Sequence, residues 1–324
     1  MKTLNLSTIY ESVQEDLDKV EEMLRLMSQE SVLGLSDLLE YSLESSGKRI
    51  RPFLTLLAGK FYDYNLDNLL PMATAVEVMH TATLVHDDAI DNSLVRRGKP
   101  TVNKLWGKKK AVLLGDYLFA EAGALTASTN NLRAIKLFAE TLKIISSGEL
   151  NQAHHAFSLE QTRQQYFQRV AQKTAALFSM ATETGAVLSQ APEKSIQILI
   201  EYGCNLGIAF QIVDDILDFI GTEEELGKPV ASDLIQGTLT LPSILILERY
   251  PDDNPVKRLF QNGNSEAEVM QAIELVSDSS IIEECYEIAS AFCSKGCRNL
   301  GQLPDSDSGQ PLIDLADYVT RRRK

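Results

Sequence analysis

The stretches Asp87-Asp88-Ala89-Ile90-Asp91 and Asp214-Asp215-Ile216-Leu217-Asp218 decide how this chain reads. Each closes a long apolar run, so three carboxylates end a segment that otherwise looks like core. On a helix, residues four apart share a face, so Asp87 and Asp91 aim at one point, as do Asp214 and Asp218. Like charges at that spacing weaken a helix by ~0.2–0.5 kcal/mol, and here the arrangement occurs twice. Clustered carboxylates with room for water suit Mg²⁺, which is normally shared with substrate phosphates. A solvated acidic helix end explains one such cluster; it explains the pair poorly.

Outward from the clusters, 72–86 and 206–213 are small or apolar around the whole circumference, the pattern of central helices. Two central helices with acids at one end imply a deep apolar cavity with metal at its mouth. That shape suits a ligand with an anionic head and a hydrocarbon tail. The rest of the chain is also helical in pattern, and no proline falls between Pro100 and Pro192. Helices are expected near 8–28, 31–46, 52–62, 68–92, 108–127, 131–157, 161–190, 193–220, 239–249, 265–276, 278–300 and 310–322. No turn is long enough to be a linker. The expected architecture is all-α, a single large helical bundle around a central cavity, forming one domain over 1–324.

The formal charge of −14 argues against sequence-independent nucleic-acid binding. An anionic ligand would then need metal ions and local cations. Gly47-Lys48-Arg49-Ile50-Arg51-Pro52 supplies cations at a turn entering a helix, an anion-binding arrangement. Arg96-Arg97 follows the first acid cluster directly, and Lys173 and Lys228 are isolated further candidates. No apolar leader follows Met1, and no uninterrupted apolar run approaches the ~20 residues of a membrane span. Four cysteines in 324 residues make no disulfide framework, so a cytoplasmic location is expected. Cys285, Cys293 and Cys297 share a face without nearby histidines and read as structural thiols.

Taken in order, Gly47 through Pro52, His80 through Asp91 with Arg96-Arg97, Gly115-Asp116, Lys173-Thr174, Gln211 through Asp218 and Gly227-Lys228 resemble the trans-isoprenyl diphosphate synthases, the polyprenyl synthetase family. The resemblance runs from about Gly47 to the end of the chain. It implies an isoprenoid-forming prenyltransferase in which Asp87, Asp88, Asp91, Asp214 and Asp218 bind Mg²⁺, three ions per site, with Asp215 in the same catalytic set. Arg96, Lys173 and Lys228 would hold an allylic diphosphate. Lys48, Arg51, His80 and Arg97 would hold isopentenyl diphosphate, under a basic tail at Arg321-Arg322-Arg323-Lys324. Thr174 and Gln211 would face the reacting carbons, and a homodimer is the family expectation. One departure stands out: Thr238 occupies a position where such proteins often carry Lys.

Product length in this family is set by what blocks the cavity floor. Met79, Ala82 and Thr83 lie where short-chain members place an aromatic, with Leu142 and Ile145 as facing floor candidates. Ala82 is expected to leave open space, which favours a medium-to-long polyprenyl product over a geranylgeranyl or farnesyl one. A terpene cyclase would not be expected to keep both acid clusters together with Lys48 and Arg51. A non-catalytic subunit of a heteromeric synthase tends to lose acids from one cluster, and this chain loses none. His154-His155 lacks the Glu-x-x-His pairs of a ferritin-like metal site, and His86 is read as structural.

Overall fold

The first acidic helix spans Leu66–Ile90, with the Asn65 side chain accepting from the Asp67 amide at its start. Its residues from Met72 through Met79 are all buried, as an apolar circumference requires. The second acidic helix, Glu193–Ile220, is walled by Ala176–Leu188 and Ile281–Cys297. Lys108–Ser128 packs along the first acidic helix, and Ile50–Gly59 bridges from it to Ala176–Leu188. The buried apolar side chains form one contiguous core around these elements. This computed structural model describes residues 5–29, 34–43, 47–96, 98–222, 229–263, 265–278 and 280–322; Arg97, Lys228, Arg323 and Lys324 lie outside them.

The all-α expectation is met, with small differences. A two-stranded hairpin pairs Val95–Arg96 with Lys99–Pro100. Between the helices expected over 239–249 and 265–276 lies a further one, Pro255–Asn262. Asn254 caps it by accepting from the Lys257 amide, and proline at the first helical position is a start signal. The long helix expected over 161–190 contains a π-helical turn at Ala171–Ala175. Glu193–Ile220 is long and apolar enough to cross a membrane, but Glu201 and Asp214 interrupt its apolar run and 67% of its most apolar window is buried inside the fold.

Candidate active site

The first acid cluster is divided between two jobs. Asp88 is buried, and Arg96 Nε donates to its two oxygens at 2.9 and 3.0 Å, with Nη2 at 2.9 Å from Oδ1. The hairpin turns Arg96 back onto the helix it follows, so both groups are already partnered. Among the described residues, Asp87 and Asp91 have no such clamp. Burial pushes the Asp87 carboxyl up to about 6, with Lys173 opposing and Glu149 reinforcing the rise. Asp91 is raised by burial, then by Glu149, and also by Asp233 from the short helix Ser232–Ile235. Lys173 is a cation among these acids, 2.5 Å from Glu149 and donating to Gln152 Oε1 at 3.0 Å.

Lys173 and Thr174 both sit on the π-helical turn, a distortion that often re-aims side chains at functional sites. Gly207 lets that turn reach the second acidic helix, because a Cβ there would stand 2.6 Å from the Ala175 Cα. One helical turn further on, Thr174 Oγ1 donates to Gln211 Oε1 at 2.6 Å. Gln211 Nε2 donates to Asp215 Oδ1 at 2.8 Å, and the Tyr166 hydroxyl donates to Asp215 Oδ2 at 2.6 Å. Burial, then the nearby Asp233, pushes Asp215 up to about 7. Nothing in the sequence pointed to Tyr166, Asp233 or Glu149 as site residues; each arrives from a different element.

The other acids of the second cluster are engaged differently. Asp214 Oδ1 accepts from Arg322 Nη2 at 2.9 Å. Asp218, expected as a metal ligand, is 2% exposed and accepts from the Ser232 hydroxyl at 3.0 Å and the Asp233 amide at 3.3 Å. Its carboxylate therefore staples the left-handed turn at Ala231 (φ 56°) to the helix. Thr238, the departure from the family pattern, donates its amide to the Asp233 carbonyl at 2.8 Å.

A basic wall stands beside this cluster. The Arg51 and Arg322 guanidiniums lie over Phe178 and Phe210, each 4.6 Å from the ring centre, and the two rings are 5.3 Å apart. Lys48 Nζ is 5.8 Å from the Tyr318 ring on the C-terminal helix, Gly309–Arg321. Nε and Nη1 of Arg322 are buried without a hydrogen-bond partner among the described residues. Buried guanidinium donors left in this way suit an anion. Arg49, between Lys48 and Arg51 in sequence, turns away to pair with Glu21 and Glu77.

Among the described residues, no three metal-binding side chains stand close enough to hold an ion by themselves. Asp87 and Asp91, which carry no clamp among the described residues, and Asp214, held on one oxygen by Arg322, are all oxygen ligands on two helices. That set fits Mg²⁺, which takes one or two carboxylates and leaves its remaining positions to water and phosphate.

The polyprenyl synthetase family model matches residues 33–276. The chain belongs to the polyprenyl synthetase family. It is 37% identical to heptaprenyl diphosphate synthase component 2 of Geobacillus stearothermophilus, over 98% of this chain and 99% of that one. It is 35% identical to solanesyl-diphosphate synthase 2 of Oryza sativa, covering 98% and 80%. A polyprenyl synthase of Caulobacter crescentus, crystallised with calcium and isoprenyl diphosphate, superposes with a TM-score of 0.94 at 33% identity over 100% of both chains. A decaprenyl diphosphate synthase of Rhodobacter capsulatus does so with a TM-score of 0.90 at 36% identity, over 99% and 100%. Family membership carries the enzyme class that the motifs implied, a trans-polyprenyl diphosphate synthase.

In this polyprenyl synthetase, the residues expected to set product length do not stand alike. Met79 and Ala82 are fully enclosed, while Thr83 keeps some accessible surface. The expectation that Ala82 faces open space therefore fails for the side chains as they stand. At 3.6 residues per turn Ala82 points about 140° away from Asp87, whereas Thr83 lies about 40° from it. His80 is half-buried, and its carbonyl accepts from the Thr83 hydroxyl at 2.7 Å. His86, read from the sequence as structural, donates from Nε2 to the Val112 carbonyl at 2.9 Å and stands 3.5 Å from Asp116 Oδ1. Gly115 admits the ring, since a Cβ there would stand 2.1 Å from it.

Proposed function

We propose that the protein joins isopentenyl diphosphate head-to-tail to an allylic diphosphate, repeating the step to a medium or long trans-polyprenyl diphosphate. The observation carrying this reading is that adjacent residues of one π-helical turn serve both acid-bearing helices. Thr174 donates to Gln211, three residues before Asp214, and Lys173 lies near enough to Asp87 and Asp91 to oppose the effect of their burial. The two acid-bearing helices thus open onto one space, with Thr174 and Gln211 beside it.

Asp87, Asp91 and Asp214 are the residues that would hold Mg²⁺, with Asp88 and Asp218 supporting them through Arg96 and the Ala231 turn. When bound, the metal supplies neutralisation of the charge gathering on the departing diphosphate. Lys173, steadied by Glu149 and Gln152, and Arg96 bind that same group, joined in the sequence-based reading by Lys228. Lys48, Arg51, His80 and Arg322 hold the diphosphate of isopentenyl diphosphate, with Arg97 assigned there from sequence. The oxygens of Thr174 and Gln211 face the allylic cation, and the apolar walls keep out water that would quench it. The released diphosphate takes the proton lost after carbon–carbon bond formation. Three ions per site, a homodimer and a cytoplasmic location complete the proposal. The name of the Geobacillus relative, a "component 2", raises a second, different chain as the alternative to a homodimer.

The test is turnover of labelled isopentenyl diphosphate with Mg²⁺ and a farnesyl or geranylgeranyl starter, followed by product sizing. A ladder ending at roughly six units or more supports the reading. A stop at four units keeps the chemistry and selects the geranylgeranyl alternative. Folded protein with no Mg²⁺-dependent incorporation makes it a non-catalytic subunit, and light scattering separates homodimer from monomer awaiting a partner.

A further inference from the structure

The chain of hydrogen bonds from Thr174 to Tyr166 has a fixed direction. A hydroxyl has one proton to give and two lone pairs. Thr174 gives its proton to Gln211 Oε1, so only lone pairs remain for the cavity side. The Gln211 amide could in principle stand either way round. Its orientation follows from Asp215, whose Oδ1 accepts from Nε2. The other oxygen, Oδ2, accepts from the wholly buried Tyr166 hydroxyl. Arg169 lies over the Tyr166 ring, 5.7 Å from its centre, and donates to the Leu239 carbonyl and Gln161, which locks the far end.

We propose that Tyr166 and Asp215 are positioning residues that fix the polarity of the Thr174–Gln211 pair, so that oxygen lone pairs rather than protons face the reacting carbons. This rests on the reading that Thr174 and Gln211 border the allylic cation. Preorganised dipoles aimed at developing charge are the strongest device available to such a site. An acid 2% exposed and screened behind an amide also offers no nucleophile that could trap the cation as an ester. Asp215 thus acts through Gln211 and not as a ligand of the diphosphate site.

The experiment compares Tyr166→Phe, Asp215→Asn, Thr174→Val and the double variant Tyr166→Phe/Thr174→Val in full-length protein. Thermal melts accompany kcat, both substrate KM values and the Mg²⁺ half-saturation. Expected are a roughly 10-fold fall in kcat for Tyr166→Phe and roughly 100-fold for Asp215→Asn, with KM and Mg²⁺ half-saturation little changed. In the Thr174→Val background, Tyr166→Phe should lower kcat no further. A raised Mg²⁺ half-saturation or KM at unchanged kcat would overturn the proposal in favour of a role in metal or phosphate binding. Fully additive losses, or loss of fold in both single variants at 166 and 215, would reduce the chain to packing. If Thr174→Val alone leaves kcat unchanged, the reading of Thr174 fails, a result distinct from additivity at Tyr166.

Discussion

Arg322 donates to Asp214 at 2.9 Å while its guanidinium rests on Phe210. A cation from the C-terminal end of the described chain thus sits on the carboxylate proposed to receive metal. Arg322→Ala is expected to lower the Mg²⁺ concentration needed for half activation, because the competing charge is gone. It should also raise the KM for isopentenyl diphosphate about tenfold, the equivalent of ~1.4 kcal/mol and within reach of one charge-assisted hydrogen bond. Initial-rate kinetics over both variables checks the opposed signs; a fall in both would refute the shared role.

Asp87 and Asp88 are neighbours with different partners. Asp87→Ala removes an unclamped carboxylate and should lower kcat by roughly 100-fold or more, in the range of lost electrostatic stabilisation, without loss of fold. Asp88→Ala frees Arg96 and leaves its guanidinium without the Asp88 carboxylate, so it should also destabilise the protein. Paired melts and rates distinguish the two variants.

Asp87 near 6 and Asp215 near 7 take up protons more readily folded than unfolded, where a carboxyl titrates near ~3.9. Their contribution is therefore most favourable at low pH and is lost as pH rises through about 4 to 7. Without Mg²⁺, the melting temperature should fall between pH 5.5 and 8. Mg²⁺ with inorganic diphosphate should flatten that slope, and Asp87→Asn should remove part of it. A metal-free melting temperature that rises across this window would contradict the assignment.

Gly207→Ala would put a Cβ 2.6 Å from the Ala175 Cα and 2.9 Å from its Cβ, and backbone cannot step aside as a flexible side chain can. A cost of about 1–3 kcal/mol is expected. Because the displaced turn carries Lys173 and Thr174, kcat should fall as well. Denaturant titration and turnover test both effects.

Thr83, rather than Ala82, shares the side of the first acidic helix that bears Asp87. Thr83→Phe should therefore shorten the product ladder while keeping Mg²⁺-dependent incorporation. An unchanged product distribution would place the floor elsewhere, with Leu142 and Ile145 on the facing helix the next positions to vary.

The helical class, the two acid clusters and most of the cations were legible in the sequence, because helix periodicity and charge clustering are local properties. The hairpin at Val95–Pro100 and the helix opening at Pro255 were not, since each depends on how a turn-rich stretch docks on its neighbours. Sequence spacing put Asp214 and Asp218 on one face, but could not say that Ser232 would engage one and Arg322 the other. Charge clustering alone put Lys48, Arg49 and Arg51 together, and only the family resemblance set Arg49 apart. Tertiary packing sent Arg49 to Glu21 and Glu77 and set Arg51 on Phe178. The sequence by itself thus determined which chemistry the chain can carry. Only the tertiary structure decided which identical side chains are free to carry it, because desolvation and hydrogen-bond partners arise from elements far apart along the chain.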